Sequence, residues 1–276
     1  MSFSITGKTA IVTGAANGIG LAIARHFVDK GAHVMFADMD EARLADEIGE
    51  EARGDGPVRM FAGDLRQKLT IANLLSATID AFDRVDILVN ASRMMRMSDP
   101  LTVEEDAVDE MLQQNLMTSL RLSQLTAKRM IKQAETLAAT SGDAEGPPPP
   151  AGSIINLSSI AASRTQSCLL GYSIACAAVD QMTRSLAVAM APQGIRVNAV
   201  AFGSVLSGSL QAALREEPDW RGSIETGTPM GRIAPAAELV ETVQYLASDA
   251  ASFMTGQILT VDGGRSLLDV VAAPAH

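Results

Sequence analysis

Cysteines, aromatic residues and basic runs are all scarce in this chain of 276 residues. Only Cys168 and Cys176 occur, too few for a disulfide framework and spaced unlike any zinc motif. That usage fits a reducing compartment, and the cytoplasm is the expectation. The three histidines, His26, His33 and His276, are scattered, and none neighbours a cysteine or an acidic cluster. Neither a metal site nor a Ser-His-Asp triad is expected. Net charge is -10 and no basic run is present, so nothing supplies the positive face that a nucleic acid or an anionic membrane needs. No apolar stretch reaches the roughly 18 residues of a membrane span. The N-terminus, Met1-Ser2-Phe3-Ser4-Ile5-Thr6-Gly7-Lys8, lacks a charged-then-apolar leader, so the mature chain is expected to begin there.

The composition is 47% hydrophobic and 20% charged, that of a compact globular chain long enough to bury a sizeable core. Short β-branched runs alternate with longer helical patterns from end to end. Thr9 to Thr13, His33 to Ala37, Val58 to Ala62, Asp86 to Asn90, Ser153 to Leu157, Ile195 to Val200 and Gln257 to Val261 read as strands. Helices are expected over Ile19 to Lys30 and Asp40 to Arg53, with long ones near Thr102 to Gln133 and Gly171 to Ala191. Fully apolar strands separated by helices point to an α/β fold, a doubly wound parallel sheet covered on both faces. Thr136 to Gly152, which contains Gly146 and Pro147 through Pro150, breaks the rhythm and is expected to leave the helix as a flexible surface insertion. Because the sheet pattern resumes at Ser153, residues 1–276 are expected to form one domain.

The first strand runs into Thr13-Gly14-Ala15-Ala16-Asn17-Gly18-Ile19-Gly20, and the first helix opens there. Glycines at that point permit a tight turn and a close approach of backbone to a pyrophosphate, which the helix N-terminus then faces with free N–H groups. Asp38 ends the second strand, near the spacing of about 20 residues at which an acid binds the ribose hydroxyls. Its carboxylate would repel a 2′-phosphate, and Asn17, Ala37 and Met39 offer no cation to hold one. NAD is therefore the expected cofactor.

From Lys8 to Gly264 the chain resembles the short-chain dehydrogenase/reductase family. Thr13 to Gly20 matches the family's T-G-x-x-x-G-x-G pattern, which implies Gly14, Asn17, Gly18, Ile19 and Gly20 at the cofactor. The resemblance further implies Asp64 and Leu65 at the adenine, Asn90 in mid-sheet after D-I-L-V, and Val205 beyond Gly203. Asn115 matches the helix asparagine that holds a proton-relay water. Ser159 and Tyr172, thirteen residues apart, match the catalytic serine and tyrosine. Gly194 to Val200 and Asp262-Gly263-Gly264 follow the family as well. The implied fold is Rossmann-type and the implied chemistry is NAD-dependent interconversion of a secondary alcohol and a ketone on a small or medium apolar molecule. Family analogy also implies a homo-oligomer, a dimer or a homotetramer built on the long helices.

The chain departs from the family in one region. The tyrosine should be followed four residues later by a lysine whose charge tunes it, yet Tyr172-Ser173-Ile174-Ala175-Cys176 ends in cysteine. A neutral thiol cannot lower a phenol's pKa, and a thiolate would raise it. Arg93 stands where the family's N-A-G turn has glycine, and Phe202 where its P-G motif has proline. Two destinations are open to Arg93: solvent, or the charge role vacated at position 176. Met94, Met95 and Met97 follow, and Leu206 to Pro229, with Trp220, corresponds to the segment that covers substrate. Methionines there either line an adaptable pocket or pack in the core. Two functions remain open. An NAD-dependent oxidoreductase is favoured by Ser159, Tyr172 and Asn115. A weakened or inactive NAD-binding relative, with a sensing or scaffold role, is favoured by Cys176, Arg93 and Phe202. The balance leans to the enzyme, and on sequence alone Cys176→Lys is expected to raise its activity.

Overall fold

The computed structural model describes residues 2–141, 150–269 and 271. Seven parallel strands form one sheet: β1 (Thr9–Thr13), β2 (His33–Asp38), β3 (Val58–Ala62), β4 (Ile87–Asn90), β5 (Gly152–Ser159), β6 (Ile195–Phe202) and β7 (Ile258–Val261), in the order β3-β2-β1-β4-β5-β6-β7. Successive side chains of a strand point to opposite faces, and both faces of this sheet are covered. Ala10 and Val12 of β1 join Val34 and Phe36 beneath α1 (Gly18–Asp29) and α2 (Glu41–Ala52). Ile11, Met35 and Leu88 face the other way, toward α3 (Lys68–Phe82). Both parities of β1 are buried, which is why it is apolar throughout.

The expected long helix near Thr102 to Gln133 is segmented. A short turn at Val103–Glu105 is followed by α4 (Val108–Met111), a π-turn (Leu112–Met117) and α5 (Thr118–Ser141). Ala107, at φ 58, breaks the chain before α4. Helix α5 continues six residues into the stretch 136–152 expected to be an insertion, and Gly152 already belongs to β5. Residues 142–149, with the proline run, lie outside the described residues. Helix α6 (Leu170–Met190) follows β5, α7 (Gly208–Glu216) and α8 (Trp220–Thr226) follow β6, and α9 (Ala237–Ala247) packs on α1. Asp40 caps α2 by accepting the Arg43 N–H at 3.0 Å, so the helix starts one residue later than the pattern suggests. Among the described residues no helix is long and apolar enough to cross a membrane.

The strand order reverses between β1 and β4. Loops leaving their C-terminal ends diverge to opposite faces, and this opens the crevice in which such sheets bind ligands.

Candidate active site

At that crevice the loop after β1 touches the loop after β4. A Cβ on Gly14, at φ +65, would lie 2.8 Å from the Ala91 carbonyl oxygen, and one on Gly20 would lie 2.1 Å from the carbonyl oxygen of Gly14. Only glycine fits either position. The Thr13 hydroxyl binds the two loops together, accepting the N–H groups of Ala91 and Ser92 at 3.0 Å each. Asp38 closes the other side of the turn. Its carboxylate accepts the Ala16 N–H at 3.0 Å and the Asp40 N–H at 3.1 Å. The turn, the first N–H groups of α1 and the end of β2 thus form a cradle open to a phosphate and a ribose. Ile19 and Val205 are buried, and Asn17 is exposed at the start of α1.

Other residues expected at the cofactor are held by contacts within the chain. Asp64 is held by Arg66 through two hydrogen bonds of 2.9 Å, and that guanidinium keeps its carboxyl below the usual carboxylate range. Leu65 beside it is buried. The Asn90 amide turns into the core, donating to Ser123 at 3.0 Å and to Asn156 at 2.8 Å. Asn156, fully buried, passes the network on to the Thr183 hydroxyl at 2.9 Å. This relay ties β4, β5, α5 and α6 behind the site. Its sequence signal is an asparagine in each of two apolar strand runs, at the end of β4 and inside β5, and Asn90 and Asn156 stand in register. Asn156→Ala leaves an Asn90 N–H without its acceptor and is expected to cost about 2–3 kcal/mol. Urea denaturation measures that loss.

Ser159 ends β5, and its hydroxyl accepts the Ala161 N–H at 3.2 Å. Tyr172 lies in the first turn of α6, 4% exposed, within an apolar cluster of Met111, Leu169, Ala175 and Cys176. Asn115 sits in the π-turn, a distortion frequent at functional sites. Its side chain clamps Met94 from both sides, accepting the backbone N–H and donating to the carbonyl, each at 2.8 Å. Met94 packs against the Tyr172 cluster, whereas Met95 and Met97 are exposed at 44% and 57%. Neither of these two serves a core. Trp220, on α8, is 40% exposed.

Arg93 does not reach out to solvent. Its guanidinium carbon lies over the Tyr172 ring, 5.3 Å from the centroid, and over Phe202, 4.6 Å from that centroid. Its Nη1 donates to the Ser158 carbonyl at 2.7 Å. Burial pulls its pKa below the ordinary guanidinium value, and no carboxylate among the described residues pairs with it. Cys176, one turn beyond Tyr172, interacts electrostatically with Arg93, yet burial pushes its thiol up to about 11. The thiol is therefore neutral at working pH.

This sheet order and this glycine cradle define a dinucleotide-binding fold. A family model described as enoyl-(acyl carrier protein) reductase matches residues 14–266. The cis-4-hydroxycyclohexanecarboxylate dehydrogenase of Sinomonas cyclohexanicum is 34% identical over 258 residues, 93% of this chain and 96% of that one. The chain belongs to the short-chain dehydrogenase/reductase family and is an oxidoreductase acting on CH–OH groups. A solved short-chain type dehydrogenase/reductase from Mycobacterium ulcerans superposes with a TM-score of 0.83 at 27% identity, over 96% of this chain and 91% of the other. A gluconate 5-dehydrogenase from Burkholderia cenocepacia, solved with NADP and tartrate, gives 0.84 at 25%, over 97% and 98%.

Proposed function

We propose that this protein is an NAD(H)-dependent dehydrogenase that interconverts a secondary alcohol and a ketone on a small or medium apolar molecule, as one domain assembled into a dimer or tetramer in the cytoplasm. The observation carrying the cofactor assignment is the Asp38 carboxylate at the end of β2, hydrogen-bonded to the glycine turn through Ala16. Held there, it accepts from ribose hydroxyls and opposes an added phosphate. The cradle residues Gly14, Asn17, Gly18, Ile19 and Gly20 would hold the pyrophosphate, with Leu65, Asn90 and Val205 flanking. The nicotinamide supplies or accepts the hydride when bound. Tyr172 takes the hydroxyl proton of the alcohol during oxidation and returns it to the carbonyl oxygen during reduction. Ser159 hydrogen-bonds the same oxygen, and Asn115, whose side-chain amide is spent on Met94, would hold through its backbone a water that connects the phenol to solvent. The apolar side chains of Met94, Leu112, Ala161 and Ala162 beside Tyr172 favour an apolar substrate.

Two like unit charges about 5 Å apart at an effective dielectric of 20 repel by about 3 kcal/mol, roughly a hundredfold in affinity. Fluorescence titration is accordingly expected to show NADH binding about a hundredfold tighter than NADPH, and Asp38→Ser is expected to remove most of that gap. Equal affinities in the wild type would overturn the cofactor assignment. A screen of cyclic and acyclic secondary alcohols with NAD tests the reaction itself.

A further inference from the structure

We propose that the positive charge serving Tyr172 has moved from α6 to the loop after β4, with Arg93 as the positioning residue and Cys176 as the small neutral residue that makes room for it. This rests on Tyr172 as the proton carrier proposed above. Three elements fix the guanidinium: the Tyr172 ring on α6, the Phe202 ring on β6 and the Ser158 carbonyl on β5. Ser159 and Phe202 are register partners in the paired strands, so the aromatic platform adjoins the serine of the site. The loop bearing Arg93 is pinned on both flanks, by Thr13 at Ala91 and Ser92 and by Asn115 at Met94.

Arginine stays protonated at any working pH, even when burial lowers its pKa. A partly buried cation without a carboxylate stabilises whichever neighbouring group can become an anion. Helix α4 packs on α6, but its Asp109 and Glu110 are exposed, and Glu110 pairs with Arg96. Arg93 approaches from the β4 side. Cys176 lies one turn along α6, and its thiol is neutral below about 11. Asp180 lies a further turn on, its carboxyl raised by burial, which Ser158 and then Arg184 partly offset. Tyr172 is the one of these groups whose ring contacts the guanidinium, so its phenolate is the anion that Arg93 favours. The three departures at positions 93, 176 and 202 then form one device. A lysine at 176 would press a second cation against the first, and Cys176→Lys alone is expected to gain no activity, contrary to the expectation from sequence.

The test reads the phenol directly. The chain has only two tyrosines, and Tyr245→Phe leaves Tyr172 alone to give the tyrosinate absorbance change. In that full-length background Tyr172 is expected to ionise at least one pH unit below the free phenol's value of about 10. Arg93→Met is expected to move the midpoint up by about one and a half to two units, the effect of a unit charge about 5–8 Å from the phenolic oxygen at an effective dielectric of 20. NADH affinity, read by fluorescence, should stay within about threefold. Arg93→Lys and the double variant Arg93→Gly/Cys176→Lys should both recover most of the shift. The acid limb of kcat/KM for alcohol oxidation should follow the same midpoints. An Arg93→Met titration that superimposes on its parent overturns the assignment. If Arg93→Met does not fold by circular dichroism, Arg93→Gln decides: a midpoint raised toward the free phenol's supports the assignment, and one at the parent's overturns it. A low midpoint in a protein that oxidises no alcohol sinks the proposed reaction and leaves the charge assignment standing. Turnover with a free-phenol midpoint does the reverse.

Discussion

Tyr172→Phe is expected to lower kcat/KM for alcohol oxidation by about a thousandfold, within the range that a positioned acid/base contributes. NADH affinity should remain within about twofold of wild type. The two outcomes separate because the substitution removes one hydroxyl and keeps the ring. That ring packs with Met111, Leu169, Ala175 and Cys176 and forms one side of the Arg93 platform, so neither the cluster nor the cradle around Gly14 is disturbed. Steady-state kinetics beside fluorescence titration provide the measurement. A variant retaining a tenth of wild-type turnover would show that another group carries the proton.

Gly20→Ala is expected to abolish cofactor binding within the measurable range, a loss of at least a hundredfold, and to cost about 3 kcal/mol of stability. The new methyl carbon would meet the Gly14 carbonyl oxygen at 2.1 Å, the Gly14 carbonyl carbon at 2.7 Å and the Thr13 carbonyl oxygen at 3.0 Å. All three are backbone atoms, so no side chain can rotate aside. Either α1 retreats from β1 or the turn opens, and both outcomes displace the N–H groups meant for a phosphate. Gly56→Ala is the control, since nothing lies within 4 Å of a Cβ built there. Urea unfolding and NADH titration of the two variants test the pair. Equal behaviour would mean that the turn yields more easily than close-packed backbone should.

The parts of this molecule that were legible in its sequence are those where one physical requirement acts on many neighbouring residues. β1 is apolar at every position because both its faces are covered, and the glycine turn declares itself because two loop backbones meet there. Asp38 was visible for the same reason, at the end of a buried run. Features set by distant partners were not legible. Asn90-Ala91-Ser92-Arg93 left two destinations open to its arginine, and only the fold, which brings Tyr172 and Phe202 to it from far along the chain, decides between them. Asn90 carried a motif match, but its amide hydrogens were already committed to Ser123 and Asn156. The break before α4 turns on the left-handed conformation of Ala107, a residue with no sequence preference for it. For Met95 and Met97 the sequence left pocket and core open, and their exposure excludes only the core.

The clamps at Thr13 and Asn115 bear on the cost of using an arginine in this place. A long cationic side chain has many rotamers to lose, and the loss amounts to about 2 kcal/mol when it is held in one. Here the backbone on each side is fastened and the guanidinium is stacked within the protein itself. The ordering is completed once, as the chain folds, and need not be repeated with every substrate that arrives.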